Sequence, residues 1–193
     1  MVWSVENMNK LRSGVGEIIF LFRNFFLSLG LPNVTAQTYG DFIIDGAKFA
    51  DVKEVGYLVR DLNHGIGFGR WRHILYPILG RKLLVVTRRS GNSAPKVVGV
   101  EIFYFNQRDL VQNTIHEGFI GVEPSFQGQG ISQAMRSHAI EHYRKTSISG
   151  ISTRISVSND GSYRSASKLG FRVIERYFDH NMGEERCYLI RHF

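Results

Sequence analysis

The chain has 193 residues, 43% of them hydrophobic and 21% charged, which is enough apolar material for one domain with a sizeable core and too much for a disordered chain. Its single cysteine, Cys187, excludes an internal disulfide and a thiolate metal cluster, and such cysteine usage points to the cytoplasm. The net charge of +7 suits an anionic ligand, yet the arginines are spread along the chain without a basic stripe or a recognised module, which argues against nucleic acid as a partner.

The first predicted element is a helix over 15–31 (VGEIIFLFRNFFLSLGL), the most apolar stretch of the chain. Glu17 and Arg23 interrupt it, and it falls short of the ~20 apolar residues that a membrane span needs, so no span is expected. Packing on the domain, or on a second copy in a homodimer, accounts for such a helix. Its aromatic-rich face leaves a weak interfacial contact as the alternative. Leu31-Pro32-Asn33 and Thr35-Ala36-Gln37-Thr38 then break it, dividing the chain into a helical N-terminal extension, 1–39, and a domain, 40–193.

Phe42-Ile43-Ile44 reads as a strand, and 47–62 carries Phe49, Val52, Val55, Leu58 and Leu62 at helical spacing. A glycine-rich loop, 63–69, precedes a helix over 71–79 that Pro77 is expected to kink. Stretches 82–87 and 96–105 are rich in Val, Ile, Phe and Tyr and read as strands joined by a Gly91-Asn92-Ser93 turn, and 114–122 is the next strand. A helix over 131–144 sets Ile131, Ala134, Met135 and Ala139 on one face, with Arg136 and Ser137 directed away from it. Ile151, Thr153, Ile155 and Val157 alternate with polar residues as in a half-buried strand. A helix over 160–169 capped by Gly170 and strands over 171–178 and 186–190 complete an α/β chain with a mixed sheet.

The most informative stretch lies where the third long strand meets its helix, Val122-Glu123-Pro124-Ser125-Phe126-Gln127-Gly128-Gln129-Gly130-Ile131-Ser132. Two glycines let the backbone approach a ligand, and the first amides of the helix have no intrahelical partner and sit at the positive end of its dipole, which together make an anion site. The spacing Gln127-x-x-Gly130-x-Ser132 resembles the acetyl-CoA signature of the GNAT superfamily of N-acetyltransferases, with serine as a small-for-small departure at its end. Asn159-Asp160-Gly161-Ser162-Tyr163-Arg164-Ser165-Ala166-Ser167-Lys168-Leu169-Gly170-Phe171 resembles the second signature of that family, in the right order and spacing. The Arg154-Ile155-Ser156 run ahead of it is similar to members that acetylate amino sugars or other small metabolites.

The resemblance implies the GNAT fold and a direct transfer of acetyl from acetyl-CoA, as cosubstrate and without a metal, to a primary amine of a small metabolite, amino sugar or protein. It implies that the backbone of Ile120, Gly121 and Val122 holds pantetheine, that Gln127, Gly128, Gln129, Gly130, Ile131 and Ser132 hold the pyrophosphate, and that Asn159 and Ser162 lie near the cofactor arm. The loop between the first two domain helices builds the acceptor pocket in this family, which points to His64, Phe68 and Trp71. A basic side chain early on the third strand points to His116 or Glu117. Strand alternation directs His116 to the side of Ile120 and Val122 and Glu117 to the other, unless a bulge intervenes. The tyrosine that serves as general acid in the family falls on Ala166 here, with Tyr163 one turn earlier as the substitute. That departure makes a catalytically silent CoA-binding or assembly protein the alternative. A rival motif, His138-Ala139-Ile140-Glu141-His142, has the spacing of a helical zinc pair, but its histidines share the apolar face and are expected to pack against the sheet.

Overall fold

The computed structural model describes residues 5–69, 72–90 and 96–193, with side chains at 14 and from 16 onward; Trp71 and the Gly91-Asn92-Ser93 turn lie outside the described residues. Helix α1 (Val5–Leu29) leads into a hairpin of β1 (Gln37–Tyr39) and β2 (Phe42–Gly46), followed by α2 (Val52–Leu62) and α3 (Arg72–Leu83). Strands β3 (Leu84–Arg89) and β4 (Lys96–Tyr104), a short α4 (Gln107–Gln112) and β5 (Thr114–Val122) come next. The chain ends with α5 (Ile131–Tyr143), β6 (Gly150–Ser156), α6 (Asp160–Lys168), β7 (Arg172–Asp179) and β8 (Glu184–His192).

The strands form one sheet in the order β1-β2-β3-β4-β5-β6-β8-β7. Every pairing is antiparallel except that of β5 with β6, where α5 supplies the crossover that a parallel pair requires. Helices α2 and α3 cover one face; α5 and α6 cover the other. β4 is buried on both faces from Val97 to Phe103, as a strand between two helical layers must be, and this explains why its run is apolar apart from Glu101. Pro77 lies inside α3, and Gly170 closes α6 with a φ of +84°, its amide bonding to Ser167 and that of Phe171 to Ala166.

Two elements are additions to the sequence reading. β1 is polar, exposed and three residues long, too short for any periodicity to register. α4 is set by a capping box in which Asn106 Oδ1 accepts from the amides of Arg108 and Asp109 at 2.8 and 3.1 Å, while Asp109 Oδ2 accepts from the Asn106 amide at 3.1 Å. Helix α1 also begins earlier than the apolar stretch indicates. It docks through Asn24, whose side chain pairs with both backbone groups of Phe105 at 2.7 and 3.1 Å, and through Lys82 Nζ, which caps the carbonyl of Leu29 at 2.8 Å. Its outer face leaves Ile18, Ile19, Phe22, Phe26 and Leu29 exposed, beside exposed Ile74 and Ile78 of α3. Among the described residues no helix is long and apolar enough to cross a membrane.

Candidate functional site

The site is an opening in the middle of the sheet. β5 and β6 pair from Thr114↔Gly150 to Glu117↔Thr153 and then part. They part at a bulge: Phe103 faces Glu117 and Ile102 faces Phe119, so Gly118 is the extra residue on β5. A Cβ on Gly118 would lie 2.0 Å from Cε1 of Tyr104, so the bulge depends on glycine. Beyond it the free edge of Ile120, Gly121 and Val122 lines a hollow of ≈ 350 Å³ that continues into a second of ≈ 400 Å³ toward β6 and β8.

The upper hollow ends at the glycine turn. Gly128 and Gly130 have φ of +77° and +75°, and Gly130 caps α5 without a side-chain acceptor, which leaves the first-turn amides and the positive helix end free for an anion. Gln127, Gly128, Gly130, Ile131 and Ser132 line this hollow, as do Asn159 and Ser162 of the second signature. Gln129 does not; its carbonyl accepts from Tyr39 Oη at 3.2 Å. The Gln127 side chain donates from Nε2 to the Val122 carbonyl at 3.0 Å, tying the turn back to the strand. Asn159 Oδ1 accepts from the Ser162 amide at 3.0 Å, so Asn159 also caps α6.

The bulge reverses the expected alternation. Glu117, not His116, shares the face of Ile120 and Val122, toward α5. There it meets Arg136, which is almost wholly buried rather than directed away from the core, at 2.7 and 2.8 Å in a bidentate pair. Arg136 also donates to the carbonyl and hydroxyl of Ser162 at 3.2 and 3.0 Å and so joins β5 to α6. Glu101 of β4 completes the cluster. Burial and the adjacent Glu117 charge push its carboxyl well above the usual range, which favours its protonated form. Burial alone would raise Glu117, but the charge and hydrogen bonds of Arg136 outweigh it and hold Glu117 below the usual range.

On the opposite face His116 lies beneath the Tyr104 and Tyr188 rings, 2% exposed. Its Nδ1 is 2.7 Å from Ser152 Oγ, and Ser152 in turn donates to Asp109 Oδ1 at 2.5 Å. Asp109 also accepts from Thr114 Oγ1 at 2.8 Å. Because the single hydroxyl proton of Ser152 goes to a carboxylate, Ser152 can only accept from the imidazole, which places the ring proton on Nδ1 and leaves the lone pair on Nε2. Burial is the main reason that the His116 pKa falls to about 4; Asp109 and Glu117 act to raise it, and Arg154 and Arg186 to lower it.

The remaining candidates lie apart from the opening. Tyr163 packs half-buried against the core, and Ala166, at the place of the family tyrosine, is fully buried, while Ser162 and Ser165 line the upper hollow. His64 is exposed, and Phe68 is buried beside a separate hollow with Tyr57 and His73. From that loop region it is Leu62 and Asn63 that line the opening. His138 bonds to Gln37 Oε1 of β1 at 2.6 Å and to the Thr35 carbonyl at 2.8 Å, so it ties α5 to the edge strand and to the segment before it, and His142 is buried as well. Of the residues missed, Asp109 has its capping spacing from Asn106 as a signal; Arg136, Ser152 and Arg154 have none beyond strand and helix periodicity.

No curated protein sequence matches the chain. Among solved structures it is similar to a chain of the NatC complex bound to Gag peptide and CoA, with a TM-score of 0.67 at 15% identity over 79% of this chain and 99% of that one. It is also similar to the ribosomal-protein-S5-alanine acetyltransferase of Vibrio fischeri, with 0.67 at 13% identity over 82% and 96%. The diaminobutyrate acetyltransferase of Paenibacillus lautus, solved with L-2,4-diaminobutyric acid and coenzyme A, gives 0.62 at 18% over 77% and 93%. These likenesses show the fold. The family model of the GNAT acetyltransferases matches residues 61–171, more than half of the chain and the span from the end of α2 through both signatures, and the protein therefore belongs to the acetyltransferase (GNAT) family.

Proposed function

We propose that the protein transfers acetyl from acetyl-CoA directly to a primary amine. The observation that carries this reading is the coincidence of an unpaired β5 edge with an uncapped, glycine-built helix start in one continuous opening. That combination fits CoA: the amides from Gln127 to Ser132 suit a pyrophosphate, and the free backbone of Ile120, Gly121 and Val122 suits the amides of pantetheine. When bound, acetyl-CoA supplies an activated acyl group as its thioester.

The chain's own residues do the rest. The opening holds donor and acceptor on one strand edge, which converts a bimolecular encounter into a local one. His116, buried, neutral at physiological pH and oriented by Ser152 and Asp109, takes a proton from the acceptor side at Nε2 by way of water, since its ring lies off the lining of the two hollows. Glu117 is too firmly held by Arg136 to act as a base; it and Arg136 instead position β5 against α6. As the amine nitrogen bonds the acyl carbon, the carbon–sulfur bond breaks; one ammonium proton leaves with the thiol and another reaches solvent by way of His116.

A second reading rests on Ala166, whose methyl cannot donate a proton: a protein that binds CoA and transfers nothing. Thiol release from acetyl-CoA against an amine panel, together with calorimetric CoA titration, separates the two. Amine-dependent thiol release supports transfer, and tight CoA binding without it supports the silent reading. Gly130→Arg is the control, since a side chain there meets Tyr39 Oη at 2.7 Å and must adopt a φ of +75°. CoA binding that survives this change, or its absence in the unaltered protein, overturns both.

A further inference from the structure

The mouth of the opening on the α2 side carries two arginines, Arg154 and Arg186, beside Glu184. Arg154 lines it, on the same β6 face as Ser152 and therefore on the side of His116. Among the described residues no carboxylate lies within ion-pair distance of Arg154. Its neighbour Arg186, across the pair on β8, lines the mouth as well and donates to the Arg154 carbonyl at 3.0 Å. The ion pairs of Arg186 are long, 3.7 Å to Asp179 and 3.5 Å to Glu184. Arg108, deeper on this face, is by contrast satisfied: it meets Glu175 at 2.6 Å and stacks 3.7 Å above the Tyr188 ring. One guanidinium is thus left uncompensated beside another, where an acceptor would enter.

Two guanidinium groups side by side repel, and an anion between them removes the repulsion while gaining charge-assisted hydrogen bonds. Arginine presents a planar fork that fits a carboxylate with two parallel bonds. The same surplus charge has a chemical use, because a positive field favours the neutral form of a nearby amine, and only the neutral amine attacks. The groups that face His116 are Tyr104 of β4, Asp109 of α4, Ser152 and Arg154 of β6 and Arg186 and Tyr188 of β8, with Arg72 of α3 over the Tyr104 ring; the charge of Glu117 reaches it from the other face of β5.

We infer that the acceptor is a primary amine bearing a carboxylate, which Arg154 pairs with and Arg186 supports while the amine lies toward His116. This rests on the acetyltransferase reading and names the substrate class of its acceptor end. Lysine-like or polyamine tails without a carboxylate are disfavoured at the same mouth by repulsion.

The test uses matched pairs, α-, β- and γ-amino acids against their amides, with the unaltered protein and Arg154→Gln. The acid of the best pair is expected to exceed its amide in kcat/KM by roughly tenfold or more, and Arg154→Gln to erase that preference chiefly through the KM of the acid. CoA affinity stays unchanged, and turnover of the amide falls less than that of the acid. A preference for the amide, or one that survives Arg154→Gln, overturns the inference. Binding of the N-acetylated acid to the CoA-loaded protein, measured by calorimetry, needs no turnover. Weaker binding to Arg154→Gln sustains the carboxylate pairing even where transfer fails, and equal binding overturns it.

Discussion

At Gly118 the two faces of the sheet handle charge in opposite ways. Toward α5 and α6, Glu117 and Arg136 form a buried bidentate pair beside Glu101, whose carboxyl is pushed well above the usual range. Toward α2, a neutral His116 sits below arginines that outnumber their close partners. The cluster ties Glu117 to Arg136 and Arg136 to Ser162, and so fixes β5, α5 and α6 around the opening. The other face carries Arg154 at the mouth, with His116 buried on the same side. On the proposed reading, donor binding and acceptor choice fall on opposite sides of one bulge.

The largest effect should come from breaking the buried cluster. Arg136→Leu leaves Glu117 buried without its partner and is expected to cost about 3–5 kcal/mol in urea unfolding. Glu101→Gln should cost less than about 1 kcal/mol, because the amide is uncharged as the protonated carboxyl is. Equal losses for the two variants would mean that Glu101 is ionised.

Next in size is the acid sensitivity of the His116 face. His116 has a folded pKa lowered to about 4. Its contribution to stability is therefore fully present above the unfolded value of about 6.5 and is lost as pH falls through that window toward 4, by about 3 kcal/mol at most. His142, also lowered to about 4, acts in the same direction. His116→Gln should flatten the decline of unfolding free energy between these pH values by a comparable amount, and a slope identical to that of the unaltered protein would contradict a neutral, buried His116.

The smallest effect tests the orientation of that ring. Ser152→Ala removes the acceptor of the Nδ1 proton, and kcat should fall roughly tenfold with CoA affinity unchanged. Imidazole nitrogen resonances give a readout that a packing defect would not move: a single Nδ1–H form in the unaltered protein and a mixture in the variant. An Nε2–H form in the unaltered protein would overturn the assignment.

The order of elements was largely legible from periodicity, because β5, α5, β6 and α6 each bury one face and carry the spacing that burial demands. The glycine turn and the start of α6 were legible too, since their shape is set by consecutive residues, Gln127 to Ser132 and Asn159 to Ser162. Missed were the elements too short to show a period, β1 and α4, although Asn106 and Asp109 announced the second. Arg136 was misplaced because a hydrophobic-face argument assigns every arginine to solvent, whereas a buried carboxylate from another strand can hold one inside.

The sequence by itself determined that an anion-binding turn follows a strand and precedes a helix, since backbone conformation at Gly128 and Gly130 and the helix dipole are local properties. Which side of the sheet His116 and Glu117 occupy was decided only in the tertiary structure. One extra residue at Gly118, made room for by the Tyr104 ring from the neighbouring strand, inverts the alternation, and no period read along a single strand contains that information.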